Sequence, residues 1–139
     1  MAVSAYLLIF LAYAVWAFSA LFVKKAVANQ PPLLVTALAA LFGAVALAPF
    51  LLAYRKEIAS LPRASWLWIL AAGILWIAVG EVLHTWGLKG AELSRAGLLG
   101  LAFPVIATAL SVAFLDEGLG WRFLVGSAVM AAGFLIVVL

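Results

Sequence analysis

The sequence predicts an all-α integral membrane protein with five transmembrane helices, and three features lead to that expectation. The chain has 139 residues, of which 70% are apolar and only 9% charged, whereas a soluble domain carries roughly a quarter charged and under half apolar residues. Its apolar residues fall in five runs, at about 3–23, 33–54, 65–86, 94–115 and 121–139, separated by charges, Pro or Gly. Each run is close to the roughly 20 residues that one bilayer crossing uses. Together they use up the chain, so a single transmembrane domain over residues 1–139, with no soluble domain, is expected.

The first run could be mistaken for a leader, because Ala26-Val27-Ala28 is similar to a small-residue cleavage site. The apolar stretch is too long for that, no basic residue precedes it, and Lys24 and Lys25 lie between it and the site. A first spanning helix is therefore expected. Pro31 and Pro32 start the second helix, where a missing N–H costs nothing. Trp66 and Trp68 mark one interface of the third helix and Trp86 the other, as an aromatic belt does. In the fourth helix Pro104 cannot serve the carbonyl of Gly100, which predicts a kink with Gly100 and Pro104 as its hinge, either moving or static. Thr108, one turn on, can help satisfy backbone groups loosened there. Asp116 and Glu117 are expected to cap the fifth helix or to pair with Arg122, and Trp121 opens that helix.

The same composition excludes disorder, a disulfide scaffold and a nucleic-acid module. Absence of cysteine removes thiol catalysis and Cys-based metal sites, and a lone histidine rules out a His-rich metal cage within one chain. There is no Gly-rich phosphate loop with Lys, no Ser nucleophile elbow and no helix-borne His pair for zinc. No cofactor or metal is expected, and ATP-driven transport would need a separate subunit. One Glu and one His suffice for acid/base work, but a reacting partner group is missing. No residue is assigned a catalytic role.

Charge placement says more than charge sum. The formal net charge of +3 hides a balanced split of basic residues across the expected membrane. Arg55, Lys56, Arg63 and Arg122 fall on one side, and Lys24, Lys25, Lys89 and Arg95 on the other. Four against four gives no positive-inside bias, which fits a chain that inserts in both orientations. Many transporters are two units of inverted topology around a central site. A unit with an odd number of helices, paired with an inverted copy of itself or with a partner of fixed orientation, reproduces that arrangement.

Several residues inside the helices invite functional readings. Glu81 in the third helix must be paired, protonated or facing a wet cavity, because an ionised carboxylate within a bilayer costs a few kcal/mol. It either binds a proton or a cationic substrate, or ties helices together through His84 or Lys89. His84, three residues on, can share a proton or hydrogen bond with it. Trp16 and Trp76 lie well inside their helices, and Tyr13 lies three residues before Trp16. Their rings either line a cavity for an organic cation or an aromatic metabolite, or fill gaps between helices. Gly73, Gly80 and Gly87 recur every seven residues, nearly two α-helical turns, and form a stripe suited to close helix packing. Ala5, Ala12 and Ser19 in the first helix and Gly126 and Gly133 in the fifth read likewise.

The stretch from "LLGLAFPVIATAL" through "FLDEGL" to "GSAVMAAGFLIVV" carries a resemblance to a known family. An Ala/Leu-rich helix with Pro before an aliphatic residue (Pro104, Val105) is followed by an acid closing that helix (Glu117). A last helix with spaced glycines (Gly126, Gly133) comes next, and an aromatic-rich first helix around Trp16 ends in Lys24. This order and spacing resembles a single EamA-type domain of the drug/metabolite transporter superfamily over nearly the whole chain. The second helix departs from the family pattern in lacking an early Arg, and Glu81 and His84 are not part of that pattern. The resemblance implies a multi-pass protein of a prokaryotic cell membrane. It also implies a secondary transporter of a small metabolite or drug-like compound, working by alternating access as one half of an inverted pair. Expected partners are the lipid bilayer, a small-molecule substrate and a second, antiparallel copy of the chain. The rival reading is a non-transporting assembly or accessory subunit, or one half of a heteromeric transporter.

Overall fold

The computed structural model describes residues 2–116 and 118–138. All regular elements among them are helical. In order these are α1 (Ala2–Val27), α2 (Pro32–Ala53), the short α3 (Arg55–Ala59), α4 (Arg63–Ala72), a π-helical segment (Gly73–Gly80), α5 (Glu81–Gly90), α6 (Leu93–Leu99), α7 (Ala102–Leu115) and α8 (Trp121–Val138). The α4, π and α5 segments run on without a break, and Arg63–Gly90 forms one helix of 28 residues. Among the described residues four helices are long and apolar enough to cross a bilayer: Ser4–Val27, Pro32–Ala53, Arg63–Gly90 and Leu93–Leu115. The fifth expected span, α8, has 18 residues, about 27 Å of helix, close to the roughly 30 Å of bilayer hydrocarbon.

Helix ends differ from the hydropathy runs for a physical reason. A hydropathy run stops at the first charge, but a helix does not. Lys24 and Lys25 occupy the last turn of α1 and Lys89 the last turn of α5, where a cation interacts favourably with the unpaired carbonyls and the helix dipole. The third span consequently extends four residues beyond Trp86, to Gly90. Pro32 is the first residue of α2, as expected, and the carbonyl of Pro31 accepts the Val35 N–H at 3.1 Å. Pro49 lies within α2, close enough to its end that few backbone bonds follow it.

The chain divides into two compact units, residues 1–90 and 91–139. In the first, α5 packs on both α1 and α2, and the described residues buried there gather where the end of α1, the start of α2 and the end of α5 meet. Val27 and Leu88 are each 1% exposed and Thr85 2%, with Pro32 and Thr36 also buried. Two lysines cross this junction. Lys24 Nζ donates to the Leu88 carbonyl at 2.6 Å, and Lys89 Nζ donates to the Gln30 carbonyl at 3.3 Å. The Leu88 carbonyl lies in the last turn of α5, where carbonyls have no partner within the helix, and Gln30 lies in the connection between α1 and α2, so each ammonium joins two segments. Away from this junction the same helices are largely exposed.

In the second unit α8 lies against both α6 and α7. The expected kink is an interruption at Gly100 and Leu101, between α6 and α7. The carbonyl that Pro104 cannot serve is not left free, however. Phe103 N–H donates to Gly100 O at 3.0 Å, Leu101 N–H to Leu98 O at 3.0 Å, and Gly100 N–H to Gly97 O at 3.2 Å. The turn tightens to i→i+3 bonding and absorbs the loss one residue early. Thr108 Oγ1 donates to the Pro104 carbonyl at 2.7 Å, a back-bond of the kind that bends helices. An apolar groove of about 240 Å³ opens beside this turn, bounded by Leu101, Val105 and Ile106 and by Phe134 and Leu135 of α8.

Asp116 plays a different part from the one expected. Its backbone is left-handed, with φ 53° and ψ 30°, and its N–H donates to the Ser111 carbonyl, which closes α7. The acid therefore ends the preceding helix through its backbone. Gly120 supplies the carbonyl that starts α8, accepting the N–H groups of Phe123 and Leu124 at 3.0 and 3.2 Å. Arg122 places its guanidinium 5.6 Å from the centre of the Trp121 ring, and Glu117 lies outside the described residues.

The packed junction yields two expectations for stability. Removing the Lys24 ammonium in Lys24→Met leaves the Leu88 carbonyl short of a charged donor and should cost about 1 to 2 kcal/mol. That loss is read as a lower melting temperature in detergent, with Lys25→Met, at an exposed position, as a near-neutral control. Thr36 Oγ1 is buried without a hydrogen-bond partner. Thr36→Val, which keeps the shape and removes the unpaired hydroxyl, should therefore leave stability unchanged or raise it by up to about 1 kcal/mol.

Candidate functional site

The candidate residues fall into two groups in the first unit and a separate set in the second. Trp16 of α1 and Trp76 of the π segment meet edge to face, with ring centroids 5.3 Å apart and planes at 65°. Tyr13 stands nearly perpendicular to Trp16, centroids 5.5 Å apart. Trp76, sixty residues away in sequence, thus joins Tyr13 and Trp16 in one aromatic cluster, held in the edge-to-face geometry that ring quadrupoles favour. All three remain about half exposed, so part of each ring is left uncovered by the chain.

Glu81 and His84 form the second group. Glu81 Oε2 lies 3.9 Å from His84 Nδ1, an ion-pair separation when the imidazole is protonated and too long for a direct hydrogen bond. Both side chains are about half exposed. Because the helix runs on to Gly90, Glu81 sits nine residues from its end, about 13 Å along the axis. This is deeper than the five residues that a helix ending at Trp86 would leave beyond it.

The π segment links the two groups, and nothing in the hydropathy pattern announces it. The Glu81 N–H donates to the carbonyl of Trp76, five residues back. In an α-helix five residues turn about 500°, leaving Glu81 about 140° away from Trp76. With i→i+5 bonding, a residue and the fifth after it lie on the same side of the helix, as i and i+4 do in an α-helix. The wider turn therefore brings the carboxylate toward the face that carries the Trp76 ring.

Gly80 permits this turn, since a Cβ there would stand 3.0 Å from the Leu75 carbonyl. The stripe of Gly73, Gly80 and Gly87 assumed α-helical spacing throughout, but Gly73 and Gly80 bound the π segment. The register slips between them, and only Gly80 and Gly87 keep the α-helical relation. Among the described residues nothing lies within 4 Å of a Cβ built at Gly73, Gly87, Gly126 or Gly133, so these positions present open surface within the chain. Gly100 and Pro104 belong to the second unit and its interrupted helix.

Sequence reasoning missed how the junction beyond the site is assembled. Lys24 and Lys89 were read as topology charges, yet each holds a backbone carbonyl across helices. Thr85 lies one residue past His84 and is buried. The available signal was a lysine in the last turn of each of two helices, α1 and α5, that the sequence places on the same side of the membrane. No group of three or more His, Cys, Asp or Glu residues capable of holding a metal is found among the described residues.

Comparison with known proteins agrees with this fold. Residues 3–139 match the EamA-like transporter family. A stretch of 94 residues, 68% of the chain, is 33% identical to a protein named "Uncharacterized transporter" from Archaeoglobus fulgidus. That stretch covers 33% of the archaeal protein's length. No solved structure matches the chain. With a family match over nearly every residue and spanning helices in the fold, the chain is a multi-pass membrane protein that belongs to the EamA-like transporter family.

Proposed function

We propose that this chain is one unit of a secondary transporter that moves a small metabolite or drug-like molecule by alternating access, with Glu81 taking up the exchanged proton or cation. The observation that carries the reading is the juxtaposition in the first unit, where an intramembrane carboxylate stands one π turn from a cluster of half-exposed rings. Family membership supports transport as the activity. A lipid-embedded carboxylate is costly unless it faces water, a partner or a proton, and a transport pathway supplies all three. Transport rather than catalysis is the reading because Glu81 and His84 have no reacting group beside them.

The unit works in this proposal as an inverted pair with a second copy of itself. The even split of basic residues supports insertion both ways round, and inverted repeats around a central site are a common transporter plan. The exposed glycines of α8, Gly126 and Gly133, offer a surface on which a second helix can approach closely.

Three measurements test this. Reconstituted in proteoliposomes, the Glu81→Gln protein should lose pH-gradient-driven flux while keeping its melting temperature within a few degrees; unchanged flux removes Glu81 from the mechanism. A topology reporter at the carboxyl terminus should be detected on both sides of the membrane, and detection on one side only replaces the inverted copy with a partner of fixed orientation. A cysteine placed at Trp16 or Trp76 should react with a water-soluble reagent, whereas a dry interior points to an assembly subunit.

A further inference from the structure

We propose that the connection between α2 and the long helix is a docking surface for the phosphate headgroups of anionic phospholipids, with Arg55, Lys56 and Arg63 as its binding residues. The inference goes beyond the transport reading and stands without it.

The two ends of the first unit carry equal numbers of basic residues but use them differently. Lys24, Lys25 and Lys89 lie at one end, and Arg55, Lys56 and Arg63 at the other. At the first end two of the three ammonium groups are engaged by the chain itself, Lys24 Nζ on the Leu88 carbonyl and Lys89 Nζ on the Gln30 carbonyl. They keep their charge but are held to the junction. At the second end no side chain of the three makes a hydrogen bond or ion pair among the described residues, and all three residues are exposed. Glu57 lies beside them on α3 and pairs with none of them.

The local backbone gathers these charges. α3 follows α2 after the single residue Tyr54, whose carbonyl accepts the Ile58 N–H at 3.0 Å. Ser60 N–H then donates to the Lys56 and Glu57 carbonyls at 3.2 and 3.1 Å, and Leu61 N–H to the Ile58 carbonyl at 3.3 Å. These turns bring the chain round to Pro62, and Arg63 opens the long helix. Ser60 to Arg63 spans three residues, at most roughly 10 Å. The long helix starts without a side-chain cap, so its first N–H groups lack partners within it and add the positive end of its dipole beside Arg63.

Location commits the surface to lipid. The basic residues sit where two spanning helices end, with Tyr54, Trp66 and Trp68 exposed beside them. Aromatic residues of this kind settle at the headgroup level, which puts the cations at the depth of the phosphates. Arg55 and Arg63 can each give a phosphate two parallel hydrogen bonds, while Lys56 adds a point charge. An inverted pair would present one such surface to each leaflet.

Native mass spectrometry of the full chain in detergent, titrated with phosphatidylglycerol or phosphatidylcholine, tests the proposal. The first phosphatidylglycerol should bind at least about tenfold more tightly than the first phosphatidylcholine, and the preference should fall as ammonium acetate is raised. Arg55→Gln, Lys56→Gln and Arg63→Gln should each lower it by about fivefold, and the triple variant should abolish it while keeping its melting temperature within a few degrees. Glu57→Gln, which removes the one acid of α3, should raise the preference, a gain that misfolding cannot imitate. Lys25→Gln, at the opposite end, should leave it unchanged. Equal affinity for the two lipids, a preference that survives the triple substitution, or a loss as large in Lys25→Gln overturns the proposal. Inorganic phosphate should not bind saturably; binding as tight as that of phosphatidylglycerol would assign the surface to free phosphate and overturn the lipid reading.

Discussion

Inside a bilayer no water is present to satisfy a stray backbone group, and each unpaired N–H or carbonyl costs several kcal/mol. The two departures from α-helix within the long spans both respect that limit. In the π segment the ladder shifts from i−4 to i−5, as the Glu81 N–H on the Trp76 carbonyl shows. At Gly100 it tightens to i−3, with the Phe103 N–H taking the carbonyl that Pro104 cannot serve. At each break these backbone groups keep a partner. A span can therefore change the direction or the facing of its side chains in lipid only where small residues allow such a substitution, and both sites have glycine at a point of close backbone approach.

The same rule accounts for the junction of the first unit. A helix end leaves carbonyls without partners; Lys24 supplies a donor to one of them, Leu88 O in α5, and Lys89 supplies one to Gln30 O in the connection before α2. A long lysine stem can lie along apolar surface while its ammonium reaches a carbonyl. Packing of Val27, Thr85 and Leu88 around these contacts makes this the most densely buried part of the described residues. The open region lies farther along the helices, where Tyr13, Trp16, Trp76, Glu81 and His84 stand. One end of the helix group holds it together, and the proposed site lies in its middle.

Much of this was legible in the sequence, for reasons that can be stated residue by residue. Spanning helices follow from runs of apolar residues, because length and hydropathy alone decide whether a segment suits a bilayer. The start of α2 at Pro32 and the interruption near Pro104 follow from what proline cannot donate. Tyr13, Trp16 and Trp76 stood out because they lie away from the interfaces, though their meeting is a tertiary fact that periodicity cannot give. The π segment escaped notice because its composition, GILWIAVG, is that of any apolar helix. Glycines at its two ends were visible at spacing seven, but that spacing fits a packing stripe as well. Asp116 was read by its side chain, and its role turned out to be its backbone, since Asp is among the few residues that tolerate the left-handed region.

The closed junction also bears on how the protein is made. Every group that builds it, from Lys24 and Val27 to Leu88 and Lys89, lies within the first 90 residues. A chain emerging from the ribosome therefore carries a complete set of its mutual contacts before residues 91–139 have been synthesised, and domains commonly fold in that amino-to-carboxyl order. The first three spans can settle against one another as they leave the insertion machinery, without waiting for the last two. Biogenesis of this membrane protein can proceed in two stages, each stage ending with its own contacts made.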